Sequence, residues 1–109
     1  EITVDTGVIE QVIINIVKNA IEAVRDKSHP EIGLSAHIDD YGKAVVQISD
    51  NGQGMEASVA EQIFIPFFTT KAYGSGIGLA FSKQVMRLHN GTISVKSKLD
   101  VKTVFTLRF

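Results

Sequence analysis

The chain contains no cysteine, which excludes disulfides and thiolate metal sites and fits a reducing compartment. It also lacks an excess of either charge: 11 Lys and Arg stand against 12 Asp and Glu, a formal net charge of −1. Bulk electrostatic attraction to nucleic acid or to a membrane surface is therefore not expected as the basis of function. No apolar run approaches the roughly eighteen residues that a membrane-spanning helix needs, and no secretory leader is visible. Internal repeats and low-complexity segments are missing as well. Proline occurs only twice, at Pro30 and Pro66, and each marks a break in a helical pattern. What remains is an ordinary globular composition, 44% hydrophobic over 109 residues, enough for one domain over 1–109 with a single core. The first residue is Glu1 and not Met, which predicts a segment of a longer polypeptide.

Apolar residues Val8, Ile9, Val12, Ile13, Ile16, Val17, Ala20, Ile21 and Val24 recur with the helical period and predict an amphipathic helix over 6–27. Thr6 or Asp5 can cap its start, and the approach to Pro30 ends it. Two β-like stretches, 31–38 and 43–49, flank the turn-forming Asp39-Asp-Tyr-Gly42 and read as a hairpin. A short helix is expected over 56–62. A further helix over 76–89 is expected to bury Ile77, Phe81, Val85 and Leu88 and to stop at Asn90-Gly91. Strands over 92–98 and 103–109 close the chain. The order predicts an α+β fold: a two-layer α/β sandwich with a mixed, mainly antiparallel sheet covered on one face by helices.

Two glycine clusters stand out, Asp50-Asn-Gly-Gln-Gly54 and Gly74-Ser-Gly-Ile-Gly78. The second opens directly into a helix, and glycine lets backbone N–H groups approach an anion beside the unpaired donors of a helix N-terminus. Asn15 and Asn19 are four residues apart, so they share one side of the first helix, flanking its apolar face. A carboxamide oxygen suits Mg²⁺, although an asparagine on a helix edge is by default a solvated polar residue. Asp50 closes a β-like run. It can make an Asx turn or, if buried, must find a strong donor such as an exocyclic amine, with Gly54 keeping the loop open to a base. Of Phe64, Phe67 and Phe68, at least one is expected in the core. Lys71, on the approach to the second glycine cluster, is placed to meet a phosphate. The stretch 69–78 has few apolar anchors and is expected to act as a lid.

Other chemistries fit poorly. The second glycine cluster is not a dinucleotide-binding fingerprint, and no glycine is followed by the Lys-Ser or Lys-Thr of a Walker loop. His29, His37 and His89 are too scattered to suggest a metal site.

Taken in order, these motifs resemble the ATP-binding catalytic domain of two-component sensor histidine kinases, in the superfamily shared with gyrase-type topoisomerases, a heat-shock chaperone and MutL. Gln11-Val-Ile-Ile-Asn-Ile-Val-Lys-Asn-Ala-Ile-Glu-Ala23 is similar to the family's N box, and Asp50–Gly54 to its first glycine box. Phe64–Lys71 is similar to its F box and Gly74–Ala80 to its second glycine box. The resemblance implies the Bergerat ATP-binding fold. It implies that Asn19 with Asn15 binds Mg²⁺, that Asp50 takes the adenine amine, and that Gly76 and Gly78 lie against the phosphates. Thr103 would supply an adenine-side hydroxyl. Gly52, Gly54, Phe68, Lys71, Gly74 and Leu79 would complete the ATP contacts, with Asn15, Asn19 and Lys71 serving catalysis.

In the related ATPases the position matching Asn15 is typically a glutamate that activates the attacking group. An amide is no general base at neutral pH, so the sequence favours phosphotransfer to a histidine over hydrolysis. Glu22, Ala23 and the short lid resemble the nitrogen-regulation subgroup, whereas Lys98–Thr103 lacks the glycines usual before the final strand. The implied partners are a dimerising phosphoacceptor domain that carries the histidine and a response-regulator receiver domain, with a cytoplasmic location. No nucleic acid or membrane contact is expected, and the segment itself is expected to be monomeric. A degenerate nucleotide-binding or interaction module, and an ATP-driven clamp, are the competing readings.

Overall fold

The computed structural model describes residues 6–66, 68 and 77–109. Helix α1 spans Thr6–Ala23; strands β1 (Ile32–Ile38) and β2 (Ala44–Asp50) form the first hairpin. A short α2 (Ala57–Ala60) and a longer α3 (Ile77–Leu88) precede the second hairpin, β3 (Thr92–Lys98) and β4 (Lys102–Arg108). The sheet order is β1-β2-β4-β3, and every pairing is antiparallel. The predicted element order and the α+β architecture are those observed.

Period-two alternation sets the faces of the central strands. Thr103, Phe105 and Leu107 of β4 are buried, as are Ile48 and Asp50 of β2 and Ile93 of β3. Helix α1 packs on β2 and against α3, while α2 and α3 pack on β3. Val12 and Ile16 are fully buried and Ala20 nearly so, giving α1 the core-facing stripe its sequence predicts. Ile21 departs from that expectation and is 53% exposed. Helical cover also stops short of β1: all seven of its residues are exposed, although Ile32, Leu34 and Ile38 pair with β2 residues that face the helices.

Two expectations need correction. Helix α1 ends at Ala23, short of 27, because the chain tightens into turns in which Arg25 N–H bonds to Glu22 O and Lys27 N–H to Val24 O. On α3 the buried stripe is Leu79, Ser82, Val85 and Met86; Phe81 is 44% and Leu88 72% exposed. Both stripes have helical spacing, and the misreading arises at Ser82. A serine reads as a surface residue, yet its Oγ donates to Gly78 O at 2.8 Å and so enters the core with its hydroxyl bonded.

The two hairpin turns are closed by different devices. In the first, the Asp39 carboxylate accepts the N–H groups of Tyr41 and Lys43 and pairs with Arg108 at 2.7 Å. In the second, Asp100 takes a left-handed backbone (φ 60°) where a glycine is more usual. Its N–H donates to Gln53 O at 2.6 Å, so the glycine-free turn closes by docking onto the first glycine loop. Helix α3 stops as predicted, with Asn90 left-handed and Gly91 N–H bonded to Met86 O.

Candidate functional site

Strand β2 carries Asp50 to the end of the sheet, where its side chain faces the helices and is only 4% exposed. Gly52 N–H donates to Asp50 Oδ1 at 2.9 Å. Burial pushes the carboxyl above its ordinary value of 3.8, and the Gly52 bond offsets this in part. A buried carboxylate with one backbone donor suits a ligand that brings a further N–H. Beside Asp50, across the β2–β4 pairing, stands Thr103, which is fully buried. Beside Thr103, across the β3–β4 pairing, stands Ser97, whose Oγ lies 2.7 Å from Thr103 Oγ1. Asp50, Thr103 and Ser97 thus form one polar row across three strands.

Helix α1 carries the second group of expected site residues. Asn15 and Asn19 are both half-buried, one helical turn apart, at about 6 Å along the axis. A Cβ built at Gly78, in the first turn of α3, would lie 3.9 Å from the Asn15 amide, so the first helix meets the opening of the third at this point. Asn15 Oδ1 accepts a hydrogen bond from Gln11 Nε2 at 3.2 Å, whereas Asn19 has no side-chain hydrogen bond to the other described residues. Asn19 is accordingly the amide freer to turn its oxygen to a cation. Among the described residues no group of three His, Asp or Glu side chains gathers as a metal site; a Mg²⁺ ion here would rest on amide and phosphate oxygens, which is within its chemistry.

The first glycine loop joins the two groups through packing. A Cβ at Gly52 would come within 2.5 Å of Ala23 O, so the loop lies against the last residue of α1. At Gly54 the backbone is left-handed (φ 63°) and a Cβ would collide with Lys98 O. Gly54 is therefore needed for the close approach of this loop to the β3–β4 turn. Leu79 is a core residue, 2% exposed. Phe64 packs edge-on against Phe105 with ring centroids 6.3 Å apart, and Phe68 packs against the same core, as expected for at least one aromatic of that run. Lys71, Gly74, Gly76 and most of the expected lid fall outside the described residues. A cleft of about 550 Å³ also reaches Asp50 from the β1 side, past Glu31, Ile32 and Lys102; it includes no residue of α1 or α3.

Ser97 is the member of this polar row that the sequence did not single out. Its signal was available: in the alternation of β3 it falls on the same side as Ile93 and Val95, an inward position where a polar side chain needs a reason.

These features coincide with a known family. Residues 4–109 match the family described as histidine kinase-, DNA gyrase B-, and HSP90-like ATPase. The chain is 38% identical over 106 residues to the signal transduction histidine-protein kinase AtoS of Escherichia coli (strain K12), covering 97% of this chain and 17% of that protein. The solved catalytic domain of histidine kinase ThkA matches with a TM-score of 0.83 and 32% identity, over 99% of this chain and 69% of that one. Full-length ShkA, solved in complex with AMPPNP, matches with a TM-score of 0.80 and 26% identity, over 95% of this chain and 21% of that one. The chain belongs to this ATPase family and is a histidine kinase catalytic domain homologous to those of sensor histidine kinases. It spans less than a fifth of the length of AtoS.

Proposed function

We propose that this chain binds ATP with Mg²⁺ and delivers the γ-phosphoryl group to a histidine of a separate dimerising domain, from which a response-regulator receiver domain takes it. The observation that carries the reading is Asp50, a buried carboxylate with one backbone donor, set in a polar row at one end of a site whose other end is Asn15, Asn19 and Gly78. Asp50 accepts the adenine amine, and Thr103 addresses the same edge of the base. Asn19, with Asn15, holds Mg²⁺ through amide oxygens; the ion, when bound, neutralises phosphate charge. The N-terminus of α3 at Gly78, together with Gly76 and Gly74, offers backbone N–H groups to the phosphates, and Lys71 adds a positive charge. Gly52 and Gly54 shape the base-side loop, while Phe68 and Leu79 give the pocket its apolar backing.

Transfer then depends on positioning and charge neutralisation. The lone pair of a neutral imidazole attacks the γ-phosphorus, the bond to the β–γ bridging oxygen breaks, and ADP leaves with that electron pair. Asn15 cannot take a proton from water, and the histidine nucleophile does not require it to. The AMPPNP bound to ShkA supports nucleotide as the ligand. None of His29, His37 and His89 matches a phosphoacceptor motif, so the chain is expected to bind Mg-ATP without phosphorylating itself.

Calorimetric titration with ATP and Mg²⁺ tests the reading. The expected result is micromolar to submillimolar binding, weakened by about tenfold or more in Asp50→Asn, as for a lost charged hydrogen bond, and made less magnesium-dependent in Asn19→Ala. A folded chain that does not bind ATP would overturn it in favour of an interaction module.

A further inference from the structure

The polar row at the sheet end has a third member that the ATP reading leaves without a role. Ser97 Oγ accepts the Met55 N–H at 2.9 Å, lies 2.7 Å from Thr103 Oγ1 and donates to Lys102 O at 3.1 Å. One hydroxyl therefore ties the first glycine loop, the last strand and the Thr103 side chain together. A threonine hydroxyl rotates among staggered positions, and a partner at 2.7 Å selects among them. Met55 is itself only 4% exposed, so its N–H needs an acceptor inside the protein. Ser97 provides it.

We propose that Ser97 is a positioning residue for base recognition: it sets the orientation in which Thr103 meets the adenine edge and fixes the first glycine loop against that threonine. The inference rests on the ATP reading above and goes beyond it by making recognition of the base depend on a side chain that does not touch the base. Because Asp50, Thr103 and Ser97 are cross-strand neighbours, the part of the effect that passes through Thr103 can be separated by a double-mutant cycle from the part that passes through the Met55 loop.

The experiment is calorimetry of the 109-residue chain with Mg-ATP and with Mg-GTP, using the wild type, Ser97→Ala, Ser97→Thr, Thr103→Val and the Ser97→Ala/Thr103→Val double variant, with thermal melting of each. Loss of the Ser97–Thr103 hydrogen bond alone predicts that Ser97→Ala weakens ATP binding by about five- to tenfold. It should also narrow the preference for ATP over GTP, which a general loss of stability does not do. The loss in the double variant should be clearly smaller than the sum of the two single losses, and Ser97→Thr, which keeps the hydroxyl, should restore most of the affinity. If the alanine variant does not fold, Ser97→Cys takes its place, being similar in size but a weak hydrogen-bonding partner. Wild-type binding with Ser97→Ala unchanged, or with losses that simply add in the double variant, overturns this inference and leaves the ATP reading intact. Failure of the wild type to bind ATP overturns both.

Discussion

The two hairpins of this molecule have strands of equal length and the same antiparallel pairing, yet they lead different lives. In β1–β2 the edge strand is exposed along all seven residues, and the turn is stitched by Asp39 to the end of β4. In β3–β4 the inner strand buries Thr103, Phe105 and Leu107, and the turn docks on the first glycine loop. Strand β1 nonetheless carries apolar residues at alternate positions, as β4 does. Alternation only nominates a face; an element packed on that face is what makes it a core.

The largest test of this contrast is truncation. Phe105→Ala removes a side chain 2% exposed and should cost about 3–5 kcal/mol in denaturant unfolding. Leu34→Ala on β1, where the side chain is 64% exposed, should cost well under about 1 kcal/mol. Equal losses would mean that β1 is covered in solution. A second test compares two left-handed glycines, Gly42 in the β1–β2 turn and Gly54 in the loop packed on the β3–β4 turn. Gly54→Ala adds a collision with Lys98 O to an unfavourable backbone, whereas a Cβ at Gly42 meets nothing within 4 Å. Gly42→Ala should cost about 1 kcal/mol and Gly54→Ala clearly more, with thermal melting as the readout.

The carboxylates of the two regions should respond to pH with opposite signs. Asp50 has its folded-state pKa raised by burial, so its contribution to stability is present below its ordinary value of 3.8 and is lost as pH rises through the folded value. Asp50→Asn should therefore melt at the same or a higher temperature than wild type at neutral pH, even as ATP binding falls. A marked drop in melting temperature there would show that the ionised Asp50 stabilises the fold. Asp39 has its pKa lowered, most of all by the Lys43 N–H and further by the Tyr41 N–H and Arg108, which together outweigh the opposing effect of burial. Its contribution is present above 3.8 and lost as pH falls through the folded value. Being at the surface, it should give the smallest effect of the series: Asp39→Asn should slightly reduce the acid sensitivity of melting, and this should fade in high salt.

Much of the candidate site is legible in the sequence because its parts are short motifs with local geometry. The four-residue step from Asn15 to Asn19 sets them on one helix side, and the Asp50–Gly54 loop follows a strand whose pattern ends there. What was not legible depended on tertiary choice. Phe81 and Leu88 have core-like hydrophobicity but lie on the side of α3 away from α1 and the sheet. Ser82 and Ser97 were passed over because a serine carries its reason for burial in its partner, Gly78 O in one case and Thr103 in the other. The absence of glycine between Lys98 and Thr103 also resolved only in three dimensions, where Asp100 takes the left-handed position.

The contact between Gly52 and the carbonyl of Ala23 acts as a gauge. Helix α1 is a rod of about 27 Å at the usual rise per residue, and its far end rests on a residue that has no side chain. Any bulk added at position 52 would push that rod along or away from the sheet, carrying Asn15 and Asn19 with it while Asp50 stayed on β2. One absent methyl group thus fixes how closely the end of α1 approaches the strand that carries Asp50.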